Sequence, residues 1–338
     1  MSENQRDRAD ITEVARLAGV SASTVSRAFN HPDLVKLTTR RRVERAVEEL
    51  GYIRNRAAQA MHGKRSATIG LIVPTVNNAI FSELIQSFTD AVDREGFTIL
   101  IAAHGFDLRR EYAMTRKLLE HRVDGLALIG LDHIEATYTL IQRQSVPAIT
   151  IWNHAPGSRL PAFGADNFDA GSTAAQYLID RGHREIGLIF PPTPENDRAR
   201  RRLEGALSIC ASEGISIPDQ WRLEAPYDLE RSKQAARDLL NGETRPRALI
   251  CGNDVIAQGA VYGALEAGLT LPGNVAIVGI GDFPGSAEMV PGISTVRLPA
   301  RRIGRMAGSK LCEAILTNRL GQIESHRFVV EMIARSSS

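Results

Sequence analysis

The chain has 338 residues, 43% of them hydrophobic and 24% charged, which is the composition of a soluble globular protein with two or three domains. Its formal net charge of +2 argues against a protein whose whole surface binds nucleic acid, but the charge is unevenly distributed along the chain. Residues 1–65 hold 13 basic and 8 acidic side chains, which leaves 28 basic and 31 acidic ones in residues 66–338. The sequence therefore predicts a basic head and a slightly acidic body.

Cysteine usage and hydropathy exclude two further classes of protein. The three cysteines are far apart in the chain and include no CxxC pair, so neither a disulfide framework nor a thiolate metal site is indicated. The polar stretch 1–10 excludes a secretory signal as written, and no apolar run approaches the roughly 20 residues that cross a bilayer. We expect a cytoplasmic protein with no membrane partner.

Three helices are predicted in the head. The first begins at Asp10, which has Glu13 at capping-box spacing, and ends at a glycine turn. A second runs from Ser21 to about Asn30 and a third from about Leu37 to Leu50. Two short helices joined in this way predict a helix-turn-helix, whose second helix enters a major groove. A small helical packing module remains an alternative, but the basic side chains, including those of 39–42, favour contact with phosphate.

In the body, short apolar runs alternate with amphipathic helices. Strands are predicted at 68–73, 98–102, 125–129, 148–151, 185–190, 248–251 and 275–280. Helices are predicted at 81–95, 111–121, 170–181, 200–213, 229–241 and 254–267. This alternation predicts two parallel sheets in a doubly wound α/β architecture. Polar and aromatic residues follow several strands, and because such sheets bind ligands beyond their strand ends, we expect a binding cleft there.

The head closely resembles a known family. Residues 14–21 together with 23–27 are similar to the helix-turn-helix of the lactose-repressor (LacI/GalR) family of bacterial transcription regulators, and 50–61 resembles its hinge helix. The resemblance implies a head at 1–52, a hinge at 53–65, and a homodimer on double-stranded operator DNA that is roughly palindromic. In the family a leucine of the hinge inserts between base pairs; here that position is Met61, although a plain linker helix is an alternative.

Matching the family's motifs gives the expected DNA-binding residues: Ser21, Ala22, Ser23, Thr24, Arg27, Asn30, Tyr52, Asn55, Arg56, Ala58 and Met61. Ala22 offers only a methyl contact and Ser23 an unselective hydrogen bond, whereas Arg27 can pair with guanine. We therefore expect DNA shape and the hinge to supply much of the specificity.

The body resembles the family's effector-binding core, which is itself similar to periplasmic sugar-binding proteins. The resemblance implies a core at 66–338, with one lobe at about 66–164 and 291–325 and a second at about 165–290 and 326–338. It implies a small-molecule effector, a sugar or sugar acid, bound by Asn78, Phe81, Trp152, Arg202, Tyr227, Asn253, Asp254, Gly281 and Asp282.

One departure from the family pattern concerns the effector. Relatives that bind neutral sugars commonly carry an aspartate where this chain has Gly281, and loss of that carboxylate beside Arg202 favours an anion. Sequences with this glycine are similar to the gluconate-responsive branch.

Catalytic signatures are missing from the sequence. It has no phosphate-binding GxxxxGK[ST] loop, HExxH helix or GxSxG elbow, so we expect no catalytic residue, metal or cofactor. A transport-type solute-binding protein would explain the body alone, and a sugar-processing enzyme would need residues that we cannot identify. We therefore predict a ligand-responsive transcriptional repressor rather than an enzyme.

Overall fold

A computed structural model describes residues 9–53, 65–77, 79–318 and 323–338. The chain divides into two compact units, one up to Ser66 and the other from Ala67 to Ser338. Each unit has its own apolar core.

The first unit is a bundle of three short helices, as predicted. They are α1 (Ile11–Ala18), α2 (Ala22–Asn30) and α3 (Leu37–Leu50), with a 3-10 turn at Pro32–Leu34. The predicted capping box is present: the Asp10 carboxylate accepts from the backbone N–H of Glu13 at 2.8 Å, and the Glu13 carboxylate accepts from that of Asp10 at 3.0 Å. Gly19, with φ 61, ends α1 in the left-handed conformation that a glycine adopts without strain.

The first lobe of the second unit is built on a six-stranded, all-parallel sheet in the order β11-β5-β4-β3-β1-β2. Its strands are β1 (Thr68–Val73), β2 (Thr98–Ala103), β3 (Gly125–Ile129), β4 (Ala148–Asn153), β5 (Ala162–Ala165) and β11 (His326–Phe328). Its helices are α4 (Ala79–Arg94), α5 (Leu108–Glu120), α6 (Glu135–Gln144) and α11 (Ala300–Thr317). The central strands are almost entirely buried and mostly apolar because helices cover both faces of the sheet.

The second lobe has the sheet order β12-β10-β9-β8-β6-β7, in which neighbours are parallel except β10 and β12. Its strands are β6 (Ile186–Phe190), β7 (Arg222–Glu224), β8 (Ala248–Cys251), β9 (Ala276–Gly281), β10 (Ser294–Arg297) and β12 (Glu331–Ile333). Its helices are α7 (Asn167–Asp180), α8 (Asp197–Ser212), α9 (Leu229–Leu240) and α10 (Asp254–Glu266). The predicted α/β core of two doubly wound lobes is confirmed.

Two of the expected lobe boundaries are wrong. Strand β10 falls within the segment assigned to the first lobe, but it pairs with β9, where Ser294 lies opposite Val278. Residues 326–338 are expected in the second lobe, but β11, which lies within them, pairs with β5, where His326 lies opposite Phe163. Strands of three or four residues are too short to show a period, so their partners are decided by tertiary pairing. The chain crosses between the lobes after β5, after β10 and after β11.

Three predicted helices begin one turn earlier than expected. Asp107, Asp166 and Asn196 cap α5, α7 and α8, and each accepts a hydrogen bond from the first turn. The prediction began these helices at the amphipathic pattern, whereas the capping side chain sets the true start.

Candidate functional site

Helix α2 presents a polar, exposed edge at its N-terminal end. Ser21 caps the helix by accepting from the backbone N–H of Thr24 at 3.2 Å, and its hydroxyl lies 2.8 Å from those of Ser23 and Thr24. Ser21, Ser23 and Arg27 are exposed. In a helix-turn-helix, side chains at this end of the second helix are the ones that reach base edges.

The other predicted DNA-binding residues differ in their surroundings. Ala22 and Tyr52 pack against the core of the head, and the Asn30 amide donates to the Ser26 carbonyl at 2.8 Å. Four further predictions lie outside the described residues: Asn55, Arg56, Ala58 and Met61. Within the described part of the head, Ser23 and Arg27 are thus the exposed predicted base-reading side chains.

Helix α3 carries exposed cations. Arg40, Arg41, Arg42 and Arg45 all lie on its surface, and of these Arg40 pairs with Glu44 at 2.8 Å. Exposed arginines on a helix of the same small bundle supply charge that can neutralise DNA phosphates.

Between the lobes of the second unit lies a small inner cavity. Five of the predicted effector-binding residues line it: Phe81, Trp152, Arg202, Tyr227 and Asn253. Three residues that the sequence did not suggest also line it: Phe106, Arg198 and Phe283. Its free volume is about 10 Å³, close to the space of a single water molecule.

Arg202 is the chemically most distinctive residue of this cavity. It is 5% exposed, its Nε donates to Asn167 at 2.6 Å, and its Nη1 donates to the Gly252 carbonyl at 2.9 Å. Among the described residues, no carboxylate lies within 4 Å of its guanidinium, and burial lowers the pKa of Arg202 to about 10. The cavity therefore contains a buried cation whose charge the described residues leave uncompensated by an ion pair.

The position of Arg202 depends on close packing of two helices. A Cβ atom at Gly171 of α7 would lie 1.8 Å from the carbonyl oxygen of Arg202, and one at Gly205 of α8 would lie 2.1 Å from that of Phe168. Only glycine allows the two backbones to approach so closely. Arg202, which lines the cavity, and Gly205, which allows its helix to approach α7, therefore lie three residues apart on α8.

A second arginine, Arg198, lies one turn before Arg202 on α8. Its Nη1 donates to the Asp197 carboxylate at 2.7 Å and to the carbonyl of Ile129 in the first lobe at 3.3 Å. The same carboxylate accepts from Leu131 N–H at 2.9 Å and from Asn153 Nδ2 at 2.5 Å, both in the first lobe. Asp197 and Arg198, which we call the interlobe latch, thus connect the two lobes beside the cavity.

Asn253 contributes a donor to the cavity. It is 1% exposed, and its Oδ1 caps α10 by accepting from Ile256 N–H at 3.0 Å. In the described part of the chain its Nδ2 has no hydrogen-bond partner. An unpaired buried amide that lines a cavity is suited to an oxygen atom of a ligand.

Three predicted effector-binding residues do not line the cavity. Asp254 is fully buried and accepts from Thr295, Ser286 and the backbone of Phe283, and its burial raises its pKa. Asp282 accepts from Arg297 at 2.7 Å and from Arg335 at 2.6 Å, in a separate surface pocket. A side chain on Gly281, whose φ is 139, would meet the ring of Phe283 at 2.0 Å. Phe283 thus occupies the space beside Gly281; the fourth residue, Asn78, lies outside the described residues.

An outer chamber of about 440 Å³ shares Phe106 and Tyr227 with the inner cavity. These two rings, one from each lobe, stack with centroids 5.8 Å apart and an interplanar angle of 30°. Their backbones and partners hold them in place, since Phe106 has φ 63 and the Tyr227 hydroxyl accepts from Asn196 at 3.2 Å. The other walls are formed by Thr75, Asn77, Pro191, Pro192, Pro194, Asn196, Pro226 and Val255.

The described ranges contain no group of three or more His, Cys, Asp or Glu residues placed to hold a metal ion. No helix within them is long and apolar enough to span a membrane.

A basic helix-turn-helix followed by a two-lobed α/β core with a cationic cavity defines a DNA-binding regulator with an effector domain. Residues 10–55 match the family model described as "Bacterial regulatory proteins, lacI family", and residues 175–338 match a periplasmic binding protein-like domain. The HTH-type transcriptional repressor PurR of Proteus mirabilis (strain HI4320) is 31% identical over 327 residues, which is 96% of each chain. This chain therefore belongs to the lacI family and is a DNA-binding transcriptional repressor.

Solved structures agree on the fold. A LacI family transcriptional regulator from Silicibacter pomeroyi superposes with a TM-score of 0.88 at 23% identity, covering 97% of this chain and 99% of that one. The lac repressor dimer bound to operator and the anti-inducer ONPF gives 0.86 at 24% identity, covering 98% and 99%.

Proposed function

We propose that this repressor binds a roughly palindromic operator as a homodimer in the cytoplasm, and that a small anion of the sugar-acid class binds in its inner cavity. The observation that carries the effector class is Arg202, a buried guanidinium with no carboxylate partner among the described side chains. An arginine in such a site pairs a carboxylate with two parallel hydrogen bonds, and the unpaired Asn253 amide adds a donor for a hydroxyl.

The size of the cavity adds a mechanical requirement. A free volume of about 10 Å³ cannot hold a sugar acid, so binding requires the lobes or the cavity side chains to move. Movement of the lobes offers a link to the head through the hinge. Because such coupling is reciprocal, effector and operator alter each other's affinity by the same factor, typically ~5- to 150-fold.

The test compares Arg202→Met with Arg201→Met in the full-length protein. A hydrogen bond to a charged group contributes about 1.5–3 kcal/mol, so loss of Arg202 should weaken gluconate binding by about 10- to 150-fold in calorimetry. Arg201 is one-third exposed and pairs with Glu204 at 3.2 Å, so its variant controls for loss of charge on α8. Mobility shifts with operator DNA, run with and without gluconate, should show the same difference between the variants.

The result that would overturn the effector class is specific. Tight binding of a neutral hexose or a nucleobase, with no response to gluconate or a ketoaldonate, would show that Arg202 does not select an anion. Failure of the full chain to bind any duplex specifically would remove the proposed operator function itself.

A further inference from the structure

We propose that the outer chamber is a subsite for a second, uncharged sugar ring, so that the effector is a disaccharide acid rather than a single sugar acid. This inference rests on the proposed function, because it places the carboxylate in the inner cavity beside Arg202. It adds a second part to the ligand and assigns that part to different walls.

The first argument is volume. The outer chamber offers about 440 Å³, within the roughly 300–1,000 Å³ of sites that enclose a complete small molecule. The inner cavity offers about 10 Å³. The outer chamber, which neither Arg198 nor Arg202 lines, is therefore much the larger of these two spaces.

The second argument is charge. The inner cavity contains Arg198 and Arg202, whereas no charged side chain is among the described residues that line the outer chamber. A ligand group that enters the chamber therefore finds no ion-pair partner. The part of the ligand that occupies it should be uncharged, with its anionic group directed toward Arg202.

The third argument is the chemistry of the walls. Four prolines and the Phe106 and Tyr227 rings offer rigid apolar faces, which suit the C–H faces of a pyranose. Thr75, Asn77 and Asn196 add hydroxyl and amide groups to the same chamber, and sugar hydroxyls need such partners when they leave water. Apolar faces with a few polar groups and no charge match a neutral sugar ring.

The two regions are connected through shared residues. Phe106 and Tyr227 line both spaces, and they belong to opposite lobes. A ligand with two rings can therefore place its acid end in the inner cavity and its neutral ring in the outer chamber when these two aromatic rings separate. Such a ligand contacts both lobes at two depths of the cleft.

The experiment uses calorimetry on the full-length protein with gluconate, cellobionate and cellobiose. Cellobionate is gluconate with one additional uncharged glucose ring, so their comparison isolates the contribution of the outer chamber. We expect cellobionate to bind at least tenfold more tightly than gluconate, and cellobiose to bind more weakly than cellobionate.

A pair of variants locates the effect. Val255→Phe places a larger side chain in the outer chamber, and Val329→Phe makes the same change at a position that is 86% exposed. The cellobionate-to-gluconate affinity ratio should fall toward one in the Val255 variant and stay at the wild-type value in the Val329 variant. The wild-type comparison stands by itself if the Val255 variant does not fold.

Each other outcome has a defined meaning. Equal affinities for gluconate and cellobionate would overturn the subsite and leave the sugar-acid effector in place. Tighter binding of cellobiose than of either acid would overturn the anionic effector and keep the outer subsite. Absence of binding by all three ligands would overturn both.

Discussion

Loss of the interlobe latch gives the sharpest test of how the lobes are held together. We predict that Asp197→Asn destabilises the effector domain strongly although it changes one oxygen into an amide group. Asp197 and Arg198 are 4% and 6% exposed, and three donors converge on the Asp197 carboxylate from Arg198, Leu131 and Asn153. An asparagine has one acceptor oxygen for these donors, and its amide group would face another donor.

The size of the effect follows from burial. Removing one partner of a buried ion pair costs roughly 3–5 kcal/mol, because the remaining charge stays buried without compensation. At about 2 °C per kcal/mol for a domain of this size, the melting temperature should fall by about 6–10 °C. The matched control is Asp169→Asn, which breaks the half-exposed ion pair with Arg327. Such a pair contributes about 0–1 kcal/mol to stability, so the melting temperature of this variant should fall by less than ~2 °C.

Differential scanning calorimetry of the full-length protein measures both variants. Limited proteolysis provides a second readout, since weaker attachment of the lobes should expose the crossover segments after β5 and β10. If the Asp197 and Asp169 variants melt within 2 °C of each other, the latch contributes no more than a surface pair and the reasoning is wrong.

Two further predictions concern stability. Burial lowers the pKa of His104, so the folded protein holds this side chain neutral, whereas the unfolded chain takes up a proton on it below about pH 6.5. The stability of the protein should therefore fall as the pH drops from 7.5 to 5.5. His104→Gln should reduce that fall in melting temperature, and an unchanged slope would exclude His104 as its source. Gly171→Ala should cost about 1–3 kcal/mol and weaken gluconate binding by displacing Arg202, measured by denaturant unfolding and calorimetry. The control Gly242→Ala meets its nearest atom at 3.3 Å, and an equal loss in both variants would refute the packing argument.

Local signals in the sequence predicted the fold well where they act over short distances. The capping box of Asp10 and Glu13, and the buried apolar runs of β1, β3 and β8, all depend on neighbouring residues and were located correctly. The segments that contain β10 and β11 are assigned to the wrong lobes, because nothing in a strand of three or four residues indicates which sheet it joins.

The candidate cavity was predictable only in part, for a similar reason. The resemblance to the family indicated Arg202 and Asn253, and both residues line the cavity. Phe283 lines the cavity because Gly281 leaves room for its ring. Phe106 lines the cavity from a residue whose backbone has the left-handed conformation. Arg198 could have been suggested by its spacing, since it lies one helical turn before Arg202 on the same face.

The cavity is positively charged because the neighbouring carboxylates form their hydrogen bonds and ion pairs with groups other than Arg202. Asp254 and Asp282 are both predicted to bind the effector, and two carboxylates in the cavity would offset the charge of Arg202. Asp254 instead bonds to two hydroxyls and a backbone N–H behind Asn253, and its raised pKa disfavours the charged form. Asp282 pairs with Arg297 and Arg335 on a separate surface. Because Gly281 supplies no carboxylate and Asp197 is paired with Arg198, Arg202 has no ion-pair partner among the described residues, and the proposed preference for an anion rests on that lack of a carboxylate partner as much as on the arginine itself.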